Sequence, residues 1–162
     1  MCIRDSCGVD RIYYSEVVGN KKEKVKYFNY SEFDSPDVQG SGQMMDKTLL
    51  DMLDEVREIV GEPIIITSGF RTPAHNESVG GKEQSSHLKG LAVDIAVRHS
   101  RMRFKLLNAL FEVGINRIGI ADNFIHIDID PDKDKNVIWT TNEKATKTNY
   151  RRFNKRYRRC YR

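Results

Sequence analysis

The sequence predicts an α+β domain in which helices pack on one face of a sheet. Three patterns predict it. Met45, Leu49, Met52, Leu53, Val56, Ile59 and Val60 recur at helical spacing, and Gly61 followed by Pro63 ends that run. Phe104, Leu107, Leu110, Phe111 and Val113 supply the apolar side of a second helix, with Ser100 placed to cap it. Leu91–Val97 and Phe124–Asp130 alternate apolar and other residues with a period of two, as strands do.

The remaining elements follow in order. Met1-Cys2-Ile3-Arg4-Asp5-Ser6 reads as a spurious leader, and residues 1–10 are set apart from the fold. Arg11–Val18 and Lys24–Tyr30 flank Gly19-Asn20, a candidate hairpin turn. Ser31 to Gly42 is rich in Ser, Gly, Asp and Pro, which is loop chemistry. Ile64-Ile65-Ile66-Thr67 is β-branched throughout and predicts a short buried strand. Ser68 to Ser86 then forms a long loop with a short helical turn near Pro73–Val79. A loop of that length inside a compact domain is often functional. Two further strands are expected at Arg117–Ile120 and Phe124–Ile129. Residues 11–140 make one domain, and 141–162 a basic tail.

Bulk properties bound the function. The 162 residues suit one domain, with 39% hydrophobic residues for a core and 31% charged ones for solubility. No stretch approaches the roughly 20 apolar residues of a membrane span. The N-terminus lacks the apolar segment of a secretory signal, so the expectation is synthesis in the cytoplasm and action after release or as a virion component. The net charge of +4 averages two unlike parts. Nine of the 27 Lys/Arg but one acid, Glu143, fall between Thr141 and Arg162, leaving a mildly acidic body. Such a tail suits polyanions, or is simply a solvated end. The three cysteines, Cys2, Cys7 and Cys160, lie near the termini and form neither a disulfide framework nor a metal pair. The oligomeric state is not encoded in any of these features.

The chemistry begins with a break in strand logic. Leu91, Val93, Ile95 and Val97 share one apolar face. Asp94 lies on the other between Ala92 and Ala96, an acid with open space above it. In the second strand Ile125, Ile127 and Ile129 point one way, and Phe124, His126, Asp128 and Asp130 the other. If the two strands share a sheet, both apolar faces meet one helical layer, and Asp94 and His126 share the opposite face. His87 begins the turn Leu88-Lys89-Gly90 that feeds the Asp94 strand, and Gly90 permits a backbone shape other residues resist. Two imidazoles and one carboxylate suit Zn²⁺ with a fourth position left for water. Taken alone, a His seven positions before an Asp is weak, because structural histidines are common.

Ser85-Ser86-His87-Leu88-Lys89-Gly90-Leu91-Ala92-Val93-Asp94 fits the pattern S-x-H-x-x-G-x-A-x-D of the M15 peptidases. Ile66 to Thr72 fits that family's strand-to-loop segment, and Gly119 to Asp128 its last strands. Over about Tyr27 to Trp139 the chain resembles the small D-Ala-D-Ala carboxypeptidase-like branch found in phages and bacteria. The resemblance implies an antiparallel sheet of the kind shared with the hedgehog signalling domain. It assigns His87, Asp94 and His126 to zinc, and Arg71 to polarising the scissile carbonyl or binding a substrate carboxylate. A loop salt bridge is the plainer role for Arg71. Ser85 would bond a ligand or the substrate, or else serve the turn.

The sequence departs from that family at one place. Many members carry their general-base acid three residues before the second zinc histidine, where this chain has Asn123. Asp122, one residue earlier, is the first candidate to replace it. Asp128 is the second, with orientation of an imidazole as its more natural task. His75 and His99 fall outside the motif and read as surface or loop histidines. The implied function is cleavage of D-amino-acid-containing bonds in peptidoglycan stem peptides, for lysis or wall remodelling. A catalytically weak wall-binding or virion-associated module is the alternative, and a metal-dependent nuclease, suggested by the basic tail alone, is the third.

Overall fold

The computed structural model of the protein describes residues 25–141. The leader at 1–10, most of the candidate hairpin, all three cysteines and all of the basic tail beyond Thr141 lie outside the described residues.

Helix α1 spans Lys47–Val60. The Asp46 side chain accepts from the backbone N–H of Leu49 at 3.2 Å and caps its start. Leu49, Leu50, Leu53, Val56 and Val60 form its buried seam. Ile59, expected in that stripe, is 42% exposed, because it sits one residue off the seam that Val56 and Val60 define. Helix α2, Pro73–Ser78, occupies the expected turn inside the long loop, with Thr72 as its cap.

Helix α3 spans Ser100–Val113. Its cap is not Ser100, which is already helical, but His99, whose Nδ1 accepts from the Met102 N–H at 3.1 Å. The buried face also differs from the expected one. Met102, Leu106, Ala109 and Leu110 are buried, while Phe104 and Phe111 are 66% and 52% exposed. Positions 102, 106 and 109 follow the i, i+4, i+7 rhythm of a packed seam. α3 lies against α1, and the two phenylalanines, seven residues apart, share the outer side.

Five strands form one sheet: β1 Ile66–Ser68, β2 Ala92–Ala96, β3 Arg117–Ile120, β4 Phe124–Asp128 and β5 Val137–Thr140. Their order is β1-β2-β4-β3-β5. The pairs β1/β2, β2/β4 and β3/β4 are antiparallel, but β3/β5 is parallel. The sheet is therefore mixed rather than antiparallel. After β4 the chain passes beyond β3 to the far edge and returns in the direction of β3. The Ile64–Thr67 run is not a buried strand. Its pairing begins at Ile66 on a sheet edge, and Ile65 is 42% exposed.

Val93 pairs with Ile127 and Ile127 with Ile118, while Ile95 pairs with Ile125. These five residues have no exposed surface and join the seams of α1 and α3 in one core. Burial of each such side chain is worth ~1.5–3 kcal/mol. The opposite face carries a single register row: Ser68 beside Asp94, Asp94 beside His126, His126 beside Gly119, Gly119 beside Trp139. The alternation that buries the isoleucines thus delivers an acid, an imidazole and an indole to one line across the sheet.

Candidate metal centre

His87 reaches this row from a 3₁₀ turn, Ser86–Lys89, that precedes β2. The Ser85 hydroxyl accepts from the His87 N–H at 3.4 Å and caps the turn. Gly90 ends it with φ of 70°, and a Cβ there would come within 2.0 Å of the Met44 carbonyl oxygen. Both the positive φ and the close approach require glycine. The Arg71 N–H donates to the His87 carbonyl at 3.1 Å, which ties the loop after β1 to the same turn.

Three ligand atoms converge. His126 Nδ1 lies 2.7 Å from Asp94 Oδ1, and His87 Nε2 lies 3.3 Å from both Asp94 Oδ1 and His126 Nδ1. These three residues are the candidate metal group found among the described residues. Their outer atoms fix how the inner ones point. His87 Nδ1 is 2.7 Å from the Gly69 carbonyl, which can only accept, so Nδ1 carries the proton and Nε2 presents its lone pair. His126 Nε2 is 3.2 Å from Asp128 Oδ2, so Nε2 donates and Nδ1 presents its lone pair. Two imidazole lone pairs and a carboxylate oxygen then face one another within hydrogen-bond distance. Such a cluster of acceptors repels itself unless a cation or a shared proton lies among them. Two nitrogens and one oxygen, with both rings clamped from behind, fit zinc.

The same partners set the electrostatics of the site. Burial works to raise the Asp94 carboxyl, but hydrogen bonds to His126 and His87 overcome it and hold the group far below the usual carboxylate range. Burial also works against charge on His126, yet Asp128 and Asp94 raise its pKa. Asp128 is pulled below the usual range by His126 and Arg117 despite its own burial. Arg117 Nε donates to Asp128 Oδ1 at 2.7 Å, and the Asp130 N–H reaches the same oxygen at 3.3 Å.

The site opens into a cleft of about 410 Å³. Arg71, Ser85, His87, Asp94, His126 and Asp128 all line it. Arg71 Nη2 donates to Asp94 Oδ2 and its Nε to Ser68 Oγ, both at 2.8 Å. It therefore makes the salt bridge and faces the cleft at once. Ser85 likewise serves the turn and borders the cleft. Asp122 stands apart: it is exposed in the β3–β4 turn, outside the cleft lining, and its backbone carbonyl accepts from Arg103 Nη2. His75 and His99 do not line the cleft.

Several cleft residues were not anticipated. Arg117 could have been found from alternation, since Ile118 and Ile120 place Arg117 and Gly119 on the site face. Trp139 packs its ring 5.7 Å from His126, with the Arg117 guanidinium 5.3 Å from the indole. Its place depends on Gly119, where a Cβ would meet the indole at 2.8 Å. Lys82, Ser86, Lys133 and Thr141 complete the polar lining. No local pattern marks Trp139, which arrives by the parallel return of β5, or Lys133, which lies in the turn between β4 and β5.

Among known families, the model described as Peptidase M15 matches residues 26–128, well over half of the chain. No curated protein matches it.

Proposed function

The chain belongs to the M15 peptidase family, and from that premise we propose that it is a zinc-dependent peptidase that cuts D-amino-acid-containing bonds of peptidoglycan stem peptides. The observation that carries this reading is the convergence of His87 Nε2, His126 Nδ1 and Asp94 Oδ1, each ring clamped by an acceptor behind it. Zinc held by His87, Asp94 and His126 would supply an acidic water and Lewis-acid polarisation of a carbonyl.

The chain's own residues divide the remaining work. Gly69 and Asp128 hold the two imidazoles in register. Arg71 has one Nη group unused by Asp94 and Ser68, and that edge can hold the scissile carbonyl oxygen or a substrate carboxylate. Trp139 walls the cleft beside His126. Asp128 is the cleft carboxylate that is not in the metal group, so proton transfer from water to the leaving amine is assigned to it ahead of Asp122.

One observation favours the second reading, a weak or inactive wall-binding module. Both Asp128 oxygens are already engaged, by Arg117, His126 and the Asp130 N–H. A carboxylate so held is slow to take up and return a proton. Mass spectrometry of muropeptides after digestion of purified sacculi, with and without chelator, separates the two. Chelator-sensitive release of peptide fragments supports the hydrolase and identifies the bond cut. Binding to sacculi with no fragment released supports the module. Release after cell lysis, or carriage in a virion, is the setting we propose for either.

A further inference from the structure

The cleft carries four cations, Arg71, Lys82, Arg117 and Lys133, against two carboxylates, Asp94 and Asp128. The two arginines account for those carboxylates: Arg71 pairs with Asp94 and Arg117 with Asp128. Among the described residues, no cleft carboxylate pairs with either lysine.

The lysines are held at one corner. The Ser85 N–H donates to the Lys82 carbonyl at 3.1 Å, so Lys82 belongs to the turn that leads into His87. Lys133 Nζ donates to Ser86 Oγ at 2.6 Å. That hydroxyl is in turn bonded at 2.9 Å to Oδ2 of Asp130, a carboxylate with no exposed side-chain surface. Asp130 is itself satisfied by Lys89 Nζ at 3.1 Å to each oxygen and by the Asp132 N–H at 3.2 Å. Lys133 also forms an ion pair with Asp130 at 3.9 Å, a distance beyond hydrogen-bond reach. Its ammonium is thus positioned through Ser86 yet keeps two N–H groups for the cleft.

We propose that Lys82 and Lys133, flanking the Ser85–Ser86 corner, form a subsite for an internal carboxylate of the substrate, separate from the carbonyl or C-terminal group that Arg71 can hold. This inference rests on the peptidase reading of the same cleft and names the substrate class it selects: stem peptides whose internal carboxylates are free rather than amidated. Two such groups exist, the α-carboxylate of γ-linked D-glutamate and the second carboxylate of diaminopimelate, and both offer the lysines the same chemistry.

The test uses the zinc-loaded full chain and the pentapeptide L-Ala-γ-D-Glu-diaminopimelate-D-Ala-D-Ala. Three further forms are each amidated at one carboxylate: the D-Glu, the diaminopimelate or the C-terminal one. Binding by calorimetry and kcat/KM are both measured. Amidation of one internal carboxylate should weaken binding about tenfold, the low end for a hydrogen bond to a charged group. The arm that responds identifies the source. In the Lys82→Met/Lys133→Met double variant that contrast should fall to about one, and Lys133→Arg should retain it. High salt should shrink it in the wild type. The proposal is overturned if neither internal amidation matters, if the contrast survives the double variant, or if only C-terminal amidation responds. Binding contrast without hydrolysis upholds the subsite and sinks the peptidase reading. Hydrolysis without contrast does the reverse.

Discussion

The two faces of β2 and β4 hold together by different physics. Toward the helices lie Val93, Ile95, Ile125 and Ile127, with no exposed surface and no polar atom to satisfy. Toward the cleft lie Asp94, His126 and Asp128, each placed 2.7 to 3.3 Å from named polar partners. The apolar face gains from area and tolerates modest changes of shape. The polar face gains from direction, and each group fixes the next: Arg117 holds Asp128, Asp128 holds His126, and His126 faces Asp94. One face therefore determines whether the chain folds, and the other whether the folded chain grips a metal.

Removing a ligand should break the comparison most sharply. His126→Ala or His87→Ala is expected to drop zinc from about one per chain to near zero and hydrolysis to background, by elemental analysis and peptide release. The loss should exceed the ~100-fold in affinity that an outer partner can cost. Unchanged zinc content in both variants would remove the metal centre altogether.

Ile125→Ala attacks the other face of the same strand. It should cost ~2–5 kcal/mol in urea unfolding, as a large-to-small change in a packed core does. Zinc per folded chain should stay at the wild-type value. A variant that folds normally but loses metal would show that the faces are not separable.

Asp128→Asn tests whether direction matters beyond the ligands. Metal affinity should fall ~10–100-fold, because His126 Nε2 loses an anionic acceptor. Activity should fall with it, whereas Asp122→Asn, in an exposed turn, should leave turnover within about twofold. The opposite ranking in a kinetic assay would return the proton-handling role to Asp122.

The smallest effect concerns the corner behind Ser86. Burial pushes the Asp130 carboxyl up, but Lys89 and Ser86 hold it below its usual value of 3.8. A carboxylate depressed by folding contributes stability above its unfolded pKa and loses it as pH falls through the folded one. Asp130→Asn should therefore cost ~1–3 kcal/mol near pH 7. That difference should shrink below about pH 4, as chemical denaturation at the two pH values would register. A difference independent of pH would mean that packing, not charge, holds this corner.

How much of this was readable in the sequence depended on range. His87, Asp94 and Gly90 lie within eight residues, and the strand carrying Asp94 alternates cleanly, so its face was legible. His126 was legible from the same period in β4. The α3 stripe misled because Phe104 and Phe111 are large and apolar, while the buried seam of that helix uses the smaller Ala109. The sheet's mixed character was hidden because nothing in Val137–Thr140 states which neighbour it will take. Trp139 enters the cleft through that pairing, a contact made by topology rather than by any local pattern, whereas Arg117 follows from the alternation of β3. Ile64–Thr67 looked buried by composition alone, whereas its place at an edge follows from the order of strands.

Gly119 leaves the gap through which Trp139 settles beside His126, and Trp139 is the sole tryptophan in the chain. The protein thus contains its own optical reporter. Indole emission is quenched by a neighbouring protonated imidazole and recovers when that imidazole is neutral and bound. Intrinsic fluorescence therefore follows the state of His126 without a label, and a titration read at one wavelength reports occupancy of the centre while the chain remains folded.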